Sequence, residues 1–250
     1  MALDIHNQVA FVPTMGALHV GHESLITLAK SKCSEVVVSI FINPLQFENK
    51  EDLANYPRTP ELDIVRAEKA GATRVWLPTF EEIYPNEPEI IPAGAVGQLF
   101  EGVHRFGHFD GVLTVVKRLF ELIKPTYAVF GEKDFQQLYL VKKMVKDFKL
   151  PIEIISAPII RESDGLALSS RNIRLSDKGR KSALIISKAL REGGRDRALV
   201  HKILASEPNF ILDYAEVIDA NTFEIANVDT INQRTIIAGW VEGVRLLDNS

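Results

Sequence analysis

Two histidines, His19 and His22, have the spacing and the surroundings of a phosphate-binding turn. A short apolar run at residues 9–12 precedes them, and a segment of helical character follows at residues 23–30. A strand, a glycine-bearing turn and a helix in this order bring backbone N–H groups and the positive end of the helix dipole to one point. Imidazoles there can donate hydrogen bonds to phosphoryl oxygens. The pattern therefore predicts a phosphate site within residues 13–22.

Zinc is the main alternative for two histidines three residues apart. A zinc site needs further ligands, and the sequence has no cysteine pair, no His-Glu-x-x-His motif and no evident third ligand. The full stretch of residues 13–22 reads Pro-Thr-Met-Gly-Ala-Leu-His-Val-Gly-His. The full stretch is a more specific signal than a single histidine near a helix start, which is usually a surface residue. We leave the protein ligands of any metal unassigned.

Composition places the chain among ordinary globular proteins. Its 250 residues are 46% hydrophobic and 25% charged, enough for one large domain or two smaller ones. A net charge of −4 argues against a general nucleic-acid-binding protein. The single cysteine, Cys33, fits a reducing cytoplasm. Neither a leader peptide nor a run of 18 apolar residues is evident, so we expect no membrane span.

The first part of the chain alternates strand-like and helix-like segments. The β-branched run at residues 35–42 is typical of a buried parallel strand, and Thr59 with Pro60 marks the start of a helix. This order predicts an α/β fold with a Rossmann-like doubly wound parallel sheet. The predicted strands are residues 9–12, 35–42, 73–77, 127–130 and 152–156. The predicted helices are residues 22–32, 60–70, 109–123 and about 135–148, with a proline-rich irregular excursion at residues 78–97.

The character of the sequence changes after Ile160. A helical region at residues 177–206 is interrupted by two glycines, and apolar runs follow at residues 210–218 and 235–247. We expect a smaller C-terminal α+β domain with helices and an antiparallel sheet. The predicted domains are therefore residues 1–159 and 160–250.

Polar clusters follow several of the predicted strands, where ligands of open parallel sheets bind. Lys133, Arg171 and Arg105 are cations suited to a triphosphate, and Ser169 and Ser170 add hydroxyl donors. Each cluster alone could be a turn or a solvated surface. Their recurrence after successive strands indicates a site instead.

Two neutral amides suggest a second kind of ligand. Gln46 and Gln137 suit a small polyol or hydroxy acid better than a phosphate. A phosphorylated acceptor would favour more cations at these positions.

Six segments, in this order and spacing, resemble the pantothenate synthetase family (pantoate–β-alanine ligases) of the His-x-Gly-His nucleotidyltransferase superfamily. They are residues 13–22, Ile-Asn-Pro-Leu-Gln-Phe at 42–47, Tyr-Pro-Arg-Thr at 56–59, Gly-His-Phe at 107–109, Gly-Glu-Lys-Asp-Phe-Gln-Gln at 131–137, and Asp-Gly-Leu-Ala-Leu-Ser-Ser-Arg-Asn at 164–172. The similarity is dense over residues 9–176 and weaker beyond, where it rests mainly on Arg-Leu-Leu-Asp-Asn at 245–249. One departure is Phe106, which replaces the family's proline.

The resemblance implies an ATP-dependent ligase that joins pantoate to β-alanine through a pantoyl adenylate and releases AMP and pyrophosphate. The product, pantothenate, is a precursor of coenzyme A. The resemblance further implies Mg²⁺ with the ATP, a cytoplasmic homodimer, and an ATP- and pantoate-binding first domain with a C-terminal lid. Another nucleotidyltransferase of the superfamily and a non-catalytic nucleotide-binding regulator are the alternatives.

The resemblance also assigns site residues. Those for ATP are Met15, Gly16, Ala17, Leu18, His19, Val20, Gly21, His22, Gly131, Glu132, Lys133, Asp134, Ile160, Leu168, Ser169, Ser170 and Arg171. Those for the two acids are Gln46 and Gln137, with Asn43, Tyr56 and Arg105 as further contacts. The catalytic group would be His22, His19, Lys133 and Arg171, which would neutralise charge on the phosphates as pyrophosphate leaves.

Overall fold

The computed structural model describes residues 8–48 and 50–250. The chain forms two compact units, of which the first extends to Glu132 and also includes Gln136–Pro158. The second comprises Lys133–Phe135 and Ile159–Ser250. Within the described parts of the chain, none of the helices combines the length and the apolarity that a membrane span requires.

The first unit contains five strands. They are β1 (Val9–Thr14), β2 (Glu35–Ile40), β3 (Arg74–Trp76), β4 (Tyr127–Gly131) and β5 (Glu153–Ala157). Its helices are α1 (Val20–Lys32), α2 (Lys50–Ala54), α3 (Pro60–Ala70), α4 (Phe80–Ile83), α5 (Glu101–His104), α6 (His108–Ile123) and α7 (Phe135–Asp147), of which α7 belongs to this unit from Gln136 onward. Short 3-10 turns occur at Pro44–Gln46 and Ala95–Gln98.

The five strands form one parallel sheet in the order β3-β2-β1-β4-β5. The chain moves from β1 to β2 on one side and later returns to β4 on the other. The carboxyl end of β1 therefore lies at the switch point of the sheet, where ligands of such folds bind. The predicted doubly wound parallel sheet is confirmed.

Helix α6 covers the sheet with the apolar face that its periodicity predicted. Val112, Val116 and Phe120 are buried, and the Phe120 ring meets Phe11 of β1 edge-on with centroids 6.3 Å apart. The helix begins one residue earlier than predicted. It ends before Pro125, as expected from proline's lack of a backbone N–H.

The second unit has a separate core. It contains α8 (Asp177–Gly193), α9 (Arg197–Leu204), β6 (Ile211–Asp219), β7 (Gln233–Val241) and β8 (Val244–Asn249), with a 3-10 turn at Ser170–Arg174. A further 3-10 turn, Glu132–Asp134, belongs to this unit from Lys133 onward. The three strands form an antiparallel sheet in the order β6-β7-β8. Side chains of both helices, including Ile186 and Leu204, pack with Ile237 of the sheet.

Several predicted boundaries differ from the structure. Strand β2 ends at Ile40 rather than at residue 42. The apolar run at residues 235–247 forms two strands, because Glu242 and Gly243 turn the chain with positive φ angles. Thr59 occupies the N-cap position of α3, but its side chain makes no cap hydrogen bond. Its hydroxyl donates to Asp63 instead.

Candidate active site

The turn between β1 and α1 leaves the sheet at its carboxyl edge. Gly16 has a φ of +86°, and Ala17 one of +50°. A Cβ on Gly16 would lie 3.0 Å from Asp63 Oδ2 and 3.1 Å from Ile40 Cγ2. Glycine thus allows both the left-handed conformation and the close approach of α3 to the turn.

The carboxylate of Asp63 holds this turn in place. The residue is 1% exposed. Its Oδ2 accepts a hydrogen bond from the Ala17 N–H at 2.9 Å, and its Oδ1 accepts one from the Leu18 N–H at 2.7 Å. The Thr59 hydroxyl also donates to Oδ1, at 3.1 Å. Sequence reasoning missed Asp63, although its i,i+4 spacing from Ala67 places it on the buried face of α3.

His19 and His22 cap the start of α1. His19 Nδ1 accepts a hydrogen bond from the Gly21 N–H at 3.1 Å, and His22 Nδ1 accepts one from the His19 N–H at 3.3 Å. The two ring centroids are 4.1 Å apart. Together the rings satisfy N–H groups that the first turn of a helix leaves without intrahelical partners.

The caps also define the chemistry of both rings. A nitrogen that accepts a hydrogen bond carries no proton, so each neutral imidazole has its proton on Nε2. If Nδ1 carried a proton, it would be a donor facing another donor, the backbone N–H. His19 and His22 can therefore serve as neutral Nε2–H donors beside the positive end of the α1 dipole.

A polar cluster follows β2 at the same edge of the sheet. Gln46 is 6% exposed, and its Nε2 lies 2.7 Å from the sulfur of Met15, in the turn between β1 and α1. The fully buried Asn43 donates from Nδ2 to Gln46 Oε1 at 3.4 Å and to the Gly111 carbonyl at 3.0 Å. Asn43 therefore fixes the amide of Gln46.

Helix α6 supports this cluster from the other side. A Cβ on Gly111 would lie 2.3 Å from the Leu45 carbonyl oxygen, so only glycine allows α6 to come this close. The buried His108 contacts the Gln46 carbonyl oxygen through Nδ1 at 2.8 Å. Because a carbonyl only accepts, the proton of that bond belongs to Nδ1.

Tyr84 is another residue that sequence reasoning missed. Its hydroxyl donates to Asn43 Oδ1 at 3.4 Å. Burial raises the pKa of this hydroxyl well above its usual value, and the nearby Arg118 offsets only part of that effect. Tyr84 therefore stays a neutral donor. No motif marks it, since it lies within the irregular excursion.

The other residues predicted for the acids lie in different settings of the first unit. Tyr56 is buried and meets Phe47 edge-on with ring centroids 5.7 Å apart. Gln137 is partly exposed on α7. Its neighbour Gln136 is buried and donates to the carbonyls of Val96 and Leu99, so it holds the loop before α5.

Arg105 lies just before α6 and is partly exposed. The neighbouring Phe106 is 80% exposed. Gly107 follows with a φ of +72° and precedes the first residue of the helix. The turn into α6 thus relies on the glycine, and the phenylalanine side chain lies at the surface.

Lys133 belongs to the second unit together with Asp134. Its Nζ lies 3.7 Å from Asp134 Oδ1. The backbone carbonyl of Lys133 accepts a hydrogen bond from Asn249 Nδ2 at 2.8 Å. Both predicted nucleotide residues therefore lie on a segment that β8 contacts.

Gly131 ends β4 in the first unit, and Glu132 follows it. The other predicted nucleotide residues of the second unit lie on a hairpin or directly after it. The Leu168 N–H donates to the Ile160 carbonyl at 2.9 Å, which joins two of the predicted ATP residues. Ser169 Oγ accepts from the Arg171 N–H at 3.3 Å and begins the 3-10 turn Ser170–Arg174. The buried Asn172 donates from Nδ2 to the Ala167 carbonyl at 3.0 Å.

The structure describes residues 8–48 and 50–250, which contain many side chains able to bind a metal ion. In those ranges no three His, Cys, Asp or Glu residues are grouped in a way that could hold a metal ion.

Comparison with known proteins identifies the family. The model of the pantoate-beta-alanine ligase family matches residues 2–250. A pantothenate synthetase of Acidothermus cellulolyticus is 47% identical, over 96% of this chain and 84% of the relative. A pantoate–beta-alanine ligase of Schizosaccharomyces pombe is 43% identical, over 97% of this chain and 90% of the relative.

The chain belongs to the pantoate–β-alanine ligase family. Two solved structures of family members have the same fold. Pantothenate synthetase from Thermus thermophilus superposes with a TM-score of 0.91 at 41% identity, covering 97% of this chain and 92% of the other. The ligase from Francisella tularensis, complexed with beta-gamma ATP and beta-alanine, gives 0.84 at 38% identity, covering 100% and 91%.

Membership of this ligase family confirms the main sequence predictions. The resemblance, the α/β fold class and the assignment as an ATP-dependent ligase of pantoate and β-alanine are all confirmed. The two alternatives, another nucleotidyltransferase and a non-catalytic regulator, are set aside. The roles of individual residues stay predictions.

Proposed function

We propose that this ligase activates pantoate at the turn that carries His19 and His22. The carboxylate of pantoate attacks the α-phosphorus of ATP, which forms pantoyl adenylate and releases pyrophosphate. The amine of β-alanine then attacks the acyl carbon, forms the amide and displaces AMP. A carboxylate is a poor acyl donor to an amine, so adenylation supplies the leaving group that the second step needs.

The capping arrangement of the two histidines is the observation that carries this proposal. Both Nδ1 atoms accept backbone N–H groups, which places the proton of each neutral ring on Nε2, the atom that would donate to phosphate oxygens. Donors that are already oriented stabilise charge as it develops, without reorganising during the reaction. The histidines would thus act by hydrogen bonding, while Lys133 and Arg171 supply positive charge.

Gln46 and Gln137 are the proposed contacts of pantoate. The amide of Gln46 is positioned by Asn43 and its backbone by His108. Gln46 would also border the site of β-alanine, with Tyr56 and Arg105 as outer contacts.

Mg²⁺ would accompany ATP and supply charge neutralisation of the triphosphate, held mainly by phosphate oxygens and water. Asp63, the buried carboxylate beside the turn, is engaged by the protein itself, because both of its oxygens accept backbone hydrogen bonds. This agrees with a Mg²⁺ ion that is held by phosphate and water rather than by this side chain. Cytoplasmic location and a homodimer remain part of the proposal.

Replacing His22 by asparagine tests the proposal directly. Asparagine can keep an acceptor near the position of Nδ1 but has no counterpart of Nε2–H. We expect pantoate-dependent exchange of pyrophosphate into ATP to fall roughly 100- to 1,000-fold, as for loss of one preorganised donor. Circular dichroism should show a folded protein.

The matched control is His201→Asn on α9, where the ring contacts the Ala215 carbonyl in the second unit. Its exchange rate should stay near that of the wild type. Near-normal exchange in a folded His22→Asn variant would contradict the role of the histidine. AMP formation should require pantoate, β-alanine and ATP together.

A further inference from the structure

The end of β8 carries two buried polar side chains that have no role in the proposed reaction. Asp248 is 4% exposed and Asn249 is 2% exposed. Both belong to the segment Arg-Leu-Leu-Asp-Asn at residues 245–249. Buried polar groups need hydrogen-bond partners, so their contacts indicate what they position.

The side chain of Asn249 is fixed at both ends. Its Oδ1 accepts from Arg234 Nε at 2.6 Å, and its Nδ2 donates to the Lys133 carbonyl at 2.8 Å. The guanidinium of Arg234 lies 4.2 Å from the centroid of the Phe135 ring, which restrains it in turn. The amide therefore has one orientation, with its N–H directed at the Lys133 backbone.

The neighbouring Asp248 holds a different segment of the same unit. Its carboxylate pairs with Arg161 through two bonds, of 2.5 and 2.9 Å. Arg161 also donates to the Gly165 carbonyl at 3.2 Å and pairs with Ala167 across the hairpin. Asp248 thus anchors the base of the hairpin that leads to Arg171.

We propose that Asn249 is a positioning residue for Lys133, and that with Asp248 it sets the spacing of the two cation-bearing segments of the second unit. Consecutive residues of one strand contact both segments, so neither can shift without breaking a buried polar bond. This inference rests on the proposed role of Lys133 at the phosphates of ATP. Preorganised cations lose less free energy to reorientation when the nucleotide binds.

The sharpest test is Asn249→Asp, which is nearly isosteric. The variant keeps an oxygen that accepts from Arg234. Its second carboxylate oxygen replaces the N–H donor and faces the Lys133 carbonyl, so two acceptors meet and the hydrogen bond is lost. In the pyrophosphate exchange assay we expect the KM for ATP to rise about 3- to 10-fold, the usual range for one hydrogen bond. The KM for pantoate should stay unchanged.

Asn232→Asp is the matched control, because Asn232 also donates through Nδ2, to Asn221 Oδ1 at 3.2 Å in the same unit. Its KM for ATP should equal that of the wild type. Asn249→Ser provides a second variant, too short to reach the Lys133 carbonyl, should the aspartate variant not fold. A purely structural role would lower the amount of active enzyme and the melting temperature but leave the KM for ATP unchanged, and that result overturns the proposal.

Lys133→Ala separates this inference from the assignment on which it rests. Normal exchange in Lys133→Ala removes the role of the lysine and with it the inference. A large loss in Lys133→Ala together with a wild-type KM for ATP in both Asn249 variants overturns only the positioning role. A large loss in Lys133→Ala with a raised KM for ATP in both Asn249 variants supports both.

Discussion

The turn that carries His19 and His22 and the hairpin of residues 160–171 are both assigned to the nucleotide, yet different interactions hold them. In the first unit, a buried carboxylate accepts two backbone N–H groups of the turn, and the histidines cap the helix themselves. In the second unit, guanidinium–carboxylate pairs anchor the hairpin, with Arg161 on Asp248 and Arg180 on the hairpin's own acidic residues.

This difference separates two ways to lose activity. The turn depends on acceptors at fixed positions, so removal of an acceptor should change the rate of chemistry. The hairpin depends on opposite charges, so removal of a charge or a change of pH should act mainly on the stability of the second unit. Three experiments test this division.

Removal of the guanidinium from Arg161 should have the largest effect. Arg161→Met leaves Asp248, whose side chain is 3% exposed, as a buried carboxylate without its ion-pair partner. We expect a loss of about 3–5 kcal/mol in the free energy of unfolding of the second unit. The fluorescence of Trp240, on β7, measures this by urea titration in a Trp76→Phe background, which removes the other tryptophan of the chain.

The control for this experiment is the double variant Arg161→Met with Asp248→Asn. The amide removes the unpaired charge and can still accept from the Asn249 N–H, as Asp248 Oδ1 does. Most of the lost stability should return. If the double variant is as unstable as the single one, charge pairing is not what holds the hairpin.

Asp63→Asn should have the next largest effect. It should lower the pyrophosphate exchange rate, whereas Arg161→Met lowers stability. One carboxylate oxygen becomes an amide NH₂ group. This donor then faces a second donor, the backbone N–H of either Ala17 or Leu18. An unsatisfied buried donor costs about 1–3 kcal/mol, so the pyrophosphate exchange rate should fall roughly 5- to 100-fold. Steady-state exchange assays at saturating pantoate measure it.

Asp110→Asn is the matched control for this substitution. Asp110 also accepts a backbone N–H in the first unit, that of Ala93 at 2.7 Å, but outside the turn between β1 and α1. A comparable rate loss in both variants would show that Asp63 has no special relation to the turn.

Acid should weaken the hairpin by the smallest amount. Burial raises the pKa of the Asp164 carboxyl, but hydrogen bonds from the Leu166 N–H and from Arg180 lower it more, so the net pKa lies below its usual value. A depressed pKa in the folded state adds stability above the pKa of the unfolded chain, about 3.9, and this contribution is lost as the pH falls through the folded-state pKa. Because the pair is partly exposed, solvent screening limits it to less than about 1 kcal/mol.

The measurement compares the wild type with Asp164→Asn by Trp240 fluorescence, again in the Trp76→Phe background. The difference in unfolding free energy should be constant from pH 7 to about 5 and shrink as the pH falls below about 4. A difference that is unchanged in acid would argue against a titrating charge pair.

Local sequence was enough to predict most elements of the fold. The β-branched run at residues 35–42 and the apolar stripe of α6 each encode their own structure, because burial on a sheet selects these patterns locally. The glycine-bearing turn and its two histidines were also recognisable, since they lie in one continuous segment of chain.

The supporting residues were not predictable in the same way. Asp63 reaches the turn across 45 residues of sequence, and Asn249 reaches Lys133 across 116. Tyr84 acts on Asn43 from an irregular segment without a periodic pattern. Such contacts have no local signature, because any polar residue with the right reach could make them.

The sequence by itself determined the family, the parallel sheet and the identity of the groups proposed to meet ATP and the two acids. Only the tertiary structure decided how the turn before His19 and His22 is held, since the carboxylate of Asp63 accepts the N–H groups of Ala17 and Leu18 from a distant part of the chain. It also decided which buried side chains orient those groups. Their partners become neighbours only when the chain folds, and burial then makes each missing hydrogen bond costly.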